Sequence, residues 1–264
     1  MLESTSPDLK HIALLGTATD HVALEATRRL GVIVTNTPNS STVAVAEHAL
    51  ALLFSLARKI PQLDQRVRIG EWPGGQLTQL AGKTLGIVGT GSVGIRLAEI
   101  ASGIGMRILV NSLSEIIKDT ENSNWTEVNF SELLTNCDAI SVHARLTPET
   151  RMMFGASEFS KMKPTALFIN TARGDLVDSG ALAEALANET IAGAALDVFN
   201  REPLDPQSML SQLPNVILTP HIAANTNEAL IVSLNMVIDN VINFINGDDV
   251  SGLKLDHLTG GSAS

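Results

Sequence analysis

The sequence is short of cations. Its 18 lysine and arginine residues face 28 aspartates and glutamates, giving a formal net charge of −10 at pH 7 and a pI near 5.0. A field of that sign attracts neither nucleic-acid phosphates nor an anionic membrane surface, so small soluble molecules are the expected partners. Cysteine is nearly absent. Cys137 has no second thiol to pair with, and its setting in Cys137-Asp138-Ala139-Ile140-Ser141-Val142 marks a buried structural thiol, in keeping with a reducing, cytoplasmic location. The opening Met1-Leu2-Glu3-Ser4-Thr5-Ser6-Pro7 lacks both the basic flank and the apolar core of a secretory signal. No uninterrupted run of about 18 apolar residues occurs, so no bilayer-spanning segment is expected. No internal repeat is visible.

What the chain does have is length and apolar content. With 264 residues, 44% of them hydrophobic, it can build one large domain or two ordinary ones. Short apolar runs alternate with helical patterns, the signature of a parallel sheet covered by helices. Strands are expected at His11 to Leu15, Gly31 to Thr35, Thr84 to Val88, Arg107 to Val110, Ala139 to His143, Ala166 to Asn170, Gly193 to Leu196 and Val216 to Leu218. Helices are expected at Val22 to Leu30, Val93 to Gly103 and Ser179 to Asn188, with Ser179 as a cap. Val43 to Ile60 reads as a long helix, apolar nearly all round, that is a central core helix, a link between domains or a dimerisation surface. Near the end, Leu230, Leu234, Val237, Ile238, Val241 and Ile245 form a stripe at helical spacing that is expected to pack into the core, and the tail from Leu258 reads as disordered. The whole is an α/β chain with a doubly wound parallel sheet.

Gly89-Thr90-Gly91-Ser92-Val93-Gly94 matches G-x-G-x-x-G, and an apolar strand runs straight into its first glycine while a helix follows the second. Each glycine has a distinct task in such a loop: Gly89 allows the tight turn, Gly91 lets backbone approach a pyrophosphate, and Gly94 lets helix and strand pack closely. The amides at the helix start then face phosphate charge. The next strand should end in an acid that binds the adenosine ribose; here Ser112 stands at that position, and no arginine follows it. NAD and NADP therefore both remain open as cofactor.

Three further segments start at expected strand ends: Asn170-Thr171-Ala172-Arg173-Gly174-Asp175, Leu196-Asp197-Val198-Phe199-Asn200-Arg201-Glu202-Pro203, and Thr219-Pro220-His221-Ile222-Ala223-Ala224. In open α/β sheets ligands bind at that edge. Reduction of a 2-keto acid needs a cation for the carboxylate, which Arg173 can supply with its planar fork, and a proton donor near neutral pH, which suits His221 with Glu202 as its carboxylate partner. Taken singly, Arg173 is equally a strand-end cap, Glu202 a solvated loop charge and His221 a core histidine. Their joint placement after a dinucleotide loop is what favours chemistry.

These segments, together with Asn36-Thr37-Pro38, Val45-Ala46-Glu47, Gly70-Glu71-Trp72 and Thr147-Pro148-Glu149-Thr150, resemble the D-isomer-specific 2-hydroxyacid dehydrogenases from about Leu9 to Gly247. The resemblance implies a catalytic set of Arg173, Glu202 and His221, with no metal. It also implies contact of Asp197 with the nicotinamide carboxamide, Ser92 and Val93 along the pyrophosphate, Thr171 and Ala172 lining the nicotinamide pocket, and Ser112 and Ala144 at the cofactor. Glutamate at 202 fits a hydroxyacid substrate, since formate-oxidising relatives carry glutamine there.

The same resemblance implies a Rossmann-type dinucleotide-binding domain over 40–225. It implies an incomplete, flavodoxin-like substrate domain over 1–39, shortened at its front, to which a C-terminal helix within 226–264 returns. Gly16-Thr17-Ala18-Thr19-Asp20 and Arg145 depart from the family's usual text. The functions this leaves open are an NAD(P)H-dependent reductase of glyoxylate, hydroxypyruvate or a similar acid, acting as a homodimer, and a non-catalytic dinucleotide sensor or partner-binding protein on the same fold.

Overall fold

The computed structural model describes residues 8–19, 22–112 and 125–250. The expected disordered tail lies outside them. Two compact units result. One joins the described residues up to Ala44 to those from Ala224 onward, and the other is Val45–Ala223.

In the first unit, β1 (His11–Ala13), α1 (Leu24–Arg29) and β2 (Ile33–Thr35) form one βαβ element, with β1 and β2 parallel. β1 is shorter than the apolar run suggests: Leu14 N–H still donates to Thr35 O, but Leu15 is exposed.

α2 (Thr42–Ala57) begins at the edge of this unit and runs through the second. Ala46, Ala49, Leu52, Leu53 and Leu56 are buried along it, as an all-round apolar helix requires. It stops three residues before the expected end. Lys59 turns into the left-handed region at φ 49°, and a separate α3 (Ile60–Arg68) restarts with Pro61 in its first turn, where a missing N–H costs nothing.

The second unit is built on β3 (Thr84–Val88), β4 (Arg107–Asn111), β5 (Trp125–Glu127), β6 (Ala139–Val142), β7 (Leu167–Asn170), β8 (Gly193–Leu196) and β9 (Val216–Leu218). They pair in parallel in the order β5-β4-β3-β6-β7-β8-β9. The sequence order reverses between β3 and β6, which makes that point the switch point of the sheet.

Alternate residues face opposite sides. Ile140, Val142, Phe168, Ala194 and Leu196 enter one buried cluster, while Ala139, Ile169 and Ala195 enter the other. The first cluster is covered by α5 (Phe130–Asn136), α6 (Ala156–Lys161) and α7 (Ser179–Ala187), with the short α8 (Met209–Gln212) at its margin; α2 and α4 (Ser92–Gly103) cover the second. Cys137 is fully buried in the first cluster, and burial pushes its thiol up to about 12. α7 is capped one residue earlier than expected: the Asp178 carboxylate, not Ser179, accepts from the amides of Gly180 and Ala181.

In the first unit, α9 (Asn227–Asn246) contacts β1, stacks Phe244 on the His11 ring at 4.6 Å, and donates from Asn240 Nδ2 to Asn36 O at 3.3 Å. Its apolar stripe is not core. Leu230, Leu234, Ile238, Val241 and Ile245 are exposed, and the buried positions are Ala229, Ser233 and Asn240. Two three-residue strands offer too little surface to cover so wide an arc. α9 is also long and apolar enough to cross a bilayer, with a mean hydropathy of 1.5 over its most apolar stretch. A search for unbroken apolar runs misses this because Asn235, Asp239, Asn240 and Asn243 interrupt the run.

The aromatic centre of the first cluster sets a stability test. Phe168 is fully buried, with the Phe154 and Phe159 rings at 5.0 Å and 5.4 Å. Phe168→Ala is expected to lower unfolding stability by about 3–5 kcal/mol in urea titration; a loss below about 1 kcal/mol would mean this cluster does not hold the sheet together.

Candidate active site

Gly89 leaves β3 with φ 98° and lies against the β6–α6 connection so closely that a Cβ there would sit 2.6 Å from the His143 carbonyl. A Cβ on Gly94 would come within 2.1 Å of Gly89 O. Gly91, the N-cap of α4, would meet nothing within 4 Å. Two glycines are thus required by packing and the third faces open space, where a ligand can approach the amides at the start of α4. Ser92 is exposed on that first turn and Val93 is half-buried beside it. The backbone of Ala144, itself buried, borders Gly89. His143 bonds Ser141 Oγ at 2.8 Å, and burial pushes its imidazole down to about 4, so it is neutral at pH 7.

β3 and β4 are in register at Val88 and Asn111, which brings Ser112 beside the loop, where its hydroxyl accepts from Thr90 Oγ1 at 3.0 Å. Two buried polar atoms at the carboxyl edge, Asn111 Oδ1 and Thr171 Oγ1, have no hydrogen-bond partner among the described residues. Such atoms are rare in a finished interior and call for a ligand or water. With the open space over Gly91, they fit a bound dinucleotide. The two other such atoms, on Gln62 and Asn215, lie away from this edge.

The neighbouring strand ends carry the remaining residues. Asn170, the last of β7, braces its own loop: Nδ2 donates to Arg173 O at 2.9 Å and Oδ1 accepts from Ala172 N–H at 3.0 Å. Arg173 is extended and partly buried; one of its guanidinium nitrogens donates to Ala172 O at 2.6 Å. The next residue, Gly174, abuts the following loop so tightly that a Cβ would lie 2.0 Å from the Phe199 carbonyl carbon. Asp197 N–H donates to Asn170 O and Thr219 N–H to Leu196 O, so the three loops leave the sheet side by side.

Glu202 and His221 meet directly. His221 Nδ1 lies 2.7 Å from Glu202 Oε2, while Oε1 accepts from Phe199 N–H at 3.0 Å. An ionised carboxylate only accepts, so Nδ1 carries a proton and Nε2 is the nitrogen left for exchange with a substrate. The pair lines a cavity of about 590 Å³ together with Phe199, Pro203, Leu218 and Pro220.

His221 adopts φ 51°, a left-handed conformation that a residue with a Cβ rarely takes. Asp197 holds it there. Its carboxylate is fully buried, with Oδ1 accepting from Thr219 Oγ1 at 2.6 Å and Ile222 N–H at 3.0 Å, and Oδ2 from Ala223 N–H at 2.9 Å. Burial alone would raise this carboxyl. The donors from His48, Thr219, Ile222 and Ala223 outweigh it and hold the group at about 2. The part played by His48, on α2, escapes a reading by motif; the available signal was the Glu47-His48 pair interrupting a largely apolar helix.

Residues 50–223 match the D-isomer specific 2-hydroxyacid dehydrogenase, NAD binding domain. The glyoxylate reductase of Aeropyrum pernix is 41% identical over 255 residues, 93% of this chain and 76% of the relative. The chain belongs to the D-isomer specific 2-hydroxyacid dehydrogenase family. A glyoxylate reductase structure from Paecilomyes thermophila superposes with a TM-score of 0.88 at 30% identity, covering 97% of this chain and 78% of that one. An NADPH-dependent glyoxylate/hydroxypyruvate reductase from Sinorhizobium meliloti, in complex with NADP and malonate, gives 0.84 at 31% identity, covering 93% and 77%. The chain is an oxidoreductase of this dehydrogenase family that takes NAD or NADP and reduces keto acids, and nothing in these comparisons supports a non-catalytic binder.

In this dehydrogenase the buried Asp197 gives a pH test with a definite sign. Its folded-state pKa of about 2 lies below the ordinary 3.8, so its stabilising contribution is complete above about pH 5 and is lost as pH falls toward 2. The urea midpoint is expected to drop between about pH 5 and pH 2.5, and Asp197→Asn to shrink that drop. An equal drop in the variant would show that this carboxylate is not held down by the fold.

Proposed function

We propose that this chain reduces small 2-keto acids of the glyoxylate and hydroxypyruvate class, with Arg173 binding the substrate carboxylate, His221 donating the proton and Glu202 orienting His221. What carries the reading is the 2.7 Å Glu202–His221 contact, at a strand end two places from the Arg173 loop and lining a cavity of ligand size. Gly89, Gly91, Ser92, Val93 and Gly94 hold the pyrophosphate, Ser112 meets the adenosine ribose, Ala144, Thr171 and Ala172 border the nicotinamide side, and Asp197 contacts the nicotinamide carboxamide. When bound, the dinucleotide supplies the hydride. The protein's own share is to polarise the carbonyl through the Arg173 cation, to hold His221 protonated at Nδ1 by Glu202, and to offer the Nε2 proton to the developing alkoxide.

The first unit is proposed as the substrate-domain portion of the chain, and the cytoplasm as its location, where a buried free thiol such as Cys137 is stable. Cofactor use is read from Ser112: a hydroxyl instead of a carboxylate at the end of β4 does not itself repel a 2′-phosphate, so NADPH is proposed as a cofactor alongside NADH.

The test is oxidation of NADH and NADPH in parallel, with glyoxylate and hydroxypyruvate as acceptors. Both cofactors should support turnover. His221→Ala should cut kcat by about 10²–10⁴-fold with cofactor affinity retained, Arg173→Ala should raise KM for the acid, and Ser112→Asp should shift binding toward NADH. Full turnover in His221→Ala removes the assigned proton donor; strict exclusion of NADPH by the unaltered protein removes the reading of Ser112.

A homodimer is proposed through the α2–α3 region, supported by exposed Ile60, Val67, Ile69, Trp72 and Leu77 on and beyond α3. Light scattering at micromolar concentration should give twice the chain mass, and a monomer rejects the arrangement.

A further inference from the structure

His48 belongs to none of the assigned roles, yet its imidazole reaches the turn that carries His221. Its Nε2 lies 3.1 Å from Thr219 Oγ1 and 3.6 Å from Asp197 Oδ1, and its side chain is 23% exposed.

The protons in this cluster can be counted. Asp197 is ionised at neutral pH, so its oxygens only accept. The single Thr219 hydroxyl proton is committed to Asp197 Oδ1 at 2.6 Å. At 3.1 Å, therefore, Thr219 Oγ1 is the acceptor and His48 Nε2 must carry the proton it donates. The relay runs from His48 Nε2–H to Thr219 Oγ1, from Thr219 O–H to Asp197, and the same carboxylate takes the amides of Ile222 and Ala223. His221 sits between Thr219 and Ile222 in its left-handed conformation.

We propose that His48 is a positioning residue for His221: its Nε2–H orients the Thr219 hydroxyl toward Asp197, and this relay holds the 219–223 turn in the one conformation that sets His221 against Glu202. Deleting the imidazole frees the Thr219 hydroxyl to rotate away from the carboxylate, and the turn relaxes from its disfavoured conformation. Neither substrate nor cofactor needs to touch His48. The consequence for turnover rests on His221 being the proton donor; the consequence for the turn does not.

The test uses His48→Ala and His48→Gln in the cofactor-loaded protein. Three readouts are taken: amide exchange at Ile222 and Ala223, the downfield NMR resonance of the His221 Nδ1–H held by Glu202, and kcat separately from KM. In His48→Ala, exchange at these two amides is expected to quicken by about tenfold while β7 and β8 stay protected. The His221 resonance should weaken or vanish, and kcat should fall by about tenfold to a hundredfold at unchanged cofactor affinity. His48→Gln, whose amide N–H can still donate to Thr219, should restore most of all three.

Exchange and resonance unchanged in His48→Ala overturn the proposal. So does exchange quickened equally throughout the second unit, which is a general stability effect, and so does a glutamine variant as impaired as the alanine one, which assigns the effect to ring volume. Should the local exchange and resonance change as expected while kcat stays constant, the relay stands and the role of His221 as proton donor is what fails.

Discussion

The buried carboxylate of Asp197 is the constraint around which the site is arranged. A negative charge with no exposure is tolerated only when its oxygens are saturated by donors, and here the Thr219 hydroxyl and the Ile222 and Ala223 amides, all from the Thr219–Ala223 turn, supply them. Solvating the charge and shaping the turn are therefore one event. The left-handed backbone at His221, which would otherwise relax, persists because abandoning it would strip the carboxylate of two amides. His221 reaches Glu202 through a conformation that a carboxylate on the preceding strand end imposes.

A second constraint is steric and acts along the carboxyl edge on both sides of the sheet's switch point. Gly89, Gly94 and Gly174 are each in positions where a single added carbon would collide with backbone: the His143 carbonyl, the Gly89 carbonyl and the Phe199 carbonyl respectively. These contacts tie successive loops to one another at the carboxyl edge. Gly89 fixes the β3 loop to the β6 connection, and Gly174 fixes the Arg173 loop to the one that leads to Glu202. Backbone contacts of this kind do not adapt by changing rotamer, so the spacing between the dinucleotide loop and the Glu202–His221 pair is carried by the main chain.

Much of this is legible in the sequence because the responsible signals are local. Thr84 to Val88, Gly193 to Leu196 and Val216 to Leu218 are strands with the expected bounds, since short β-branched and small apolar runs between turn residues have few alternatives in a parallel sheet. Glu202 and His221, 19 residues apart, could be paired because each follows a strand and strand ends share an edge. What could not be read depends on which face meets what. The α9 stripe has the period of a core helix, but period reports that one face is apolar, not that anything covers it. Asp178 displaced Ser179 as the cap because a carboxylate one residue earlier reaches two amides at once. His48 was invisible because its partners, Thr219 and Asp197, are about 150 residues away or more, and no spacing rule connects an α2 position to the last strand of a sheet.

The two units differ in how complete they are, and the difference locates the chemistry. In the second unit every residue of β3, β6, β7 and β8 is buried, helices cover both faces of the sheet, and one cluster lies on each side. That is the condition a parallel sheet needs. In the first unit the three residues of β1 are of intermediate burial, β2 buries only Val34 and Thr35, and α9 leaves its apolar arc largely exposed. The dinucleotide loop, the Arg173 loop, the Glu202–His221 pair and the Asp197 relay all lie within Val45–Ala223, the unit whose geometry is fixed by its own core. The relation of His221 to Glu202 thus rests on contacts internal to that unit.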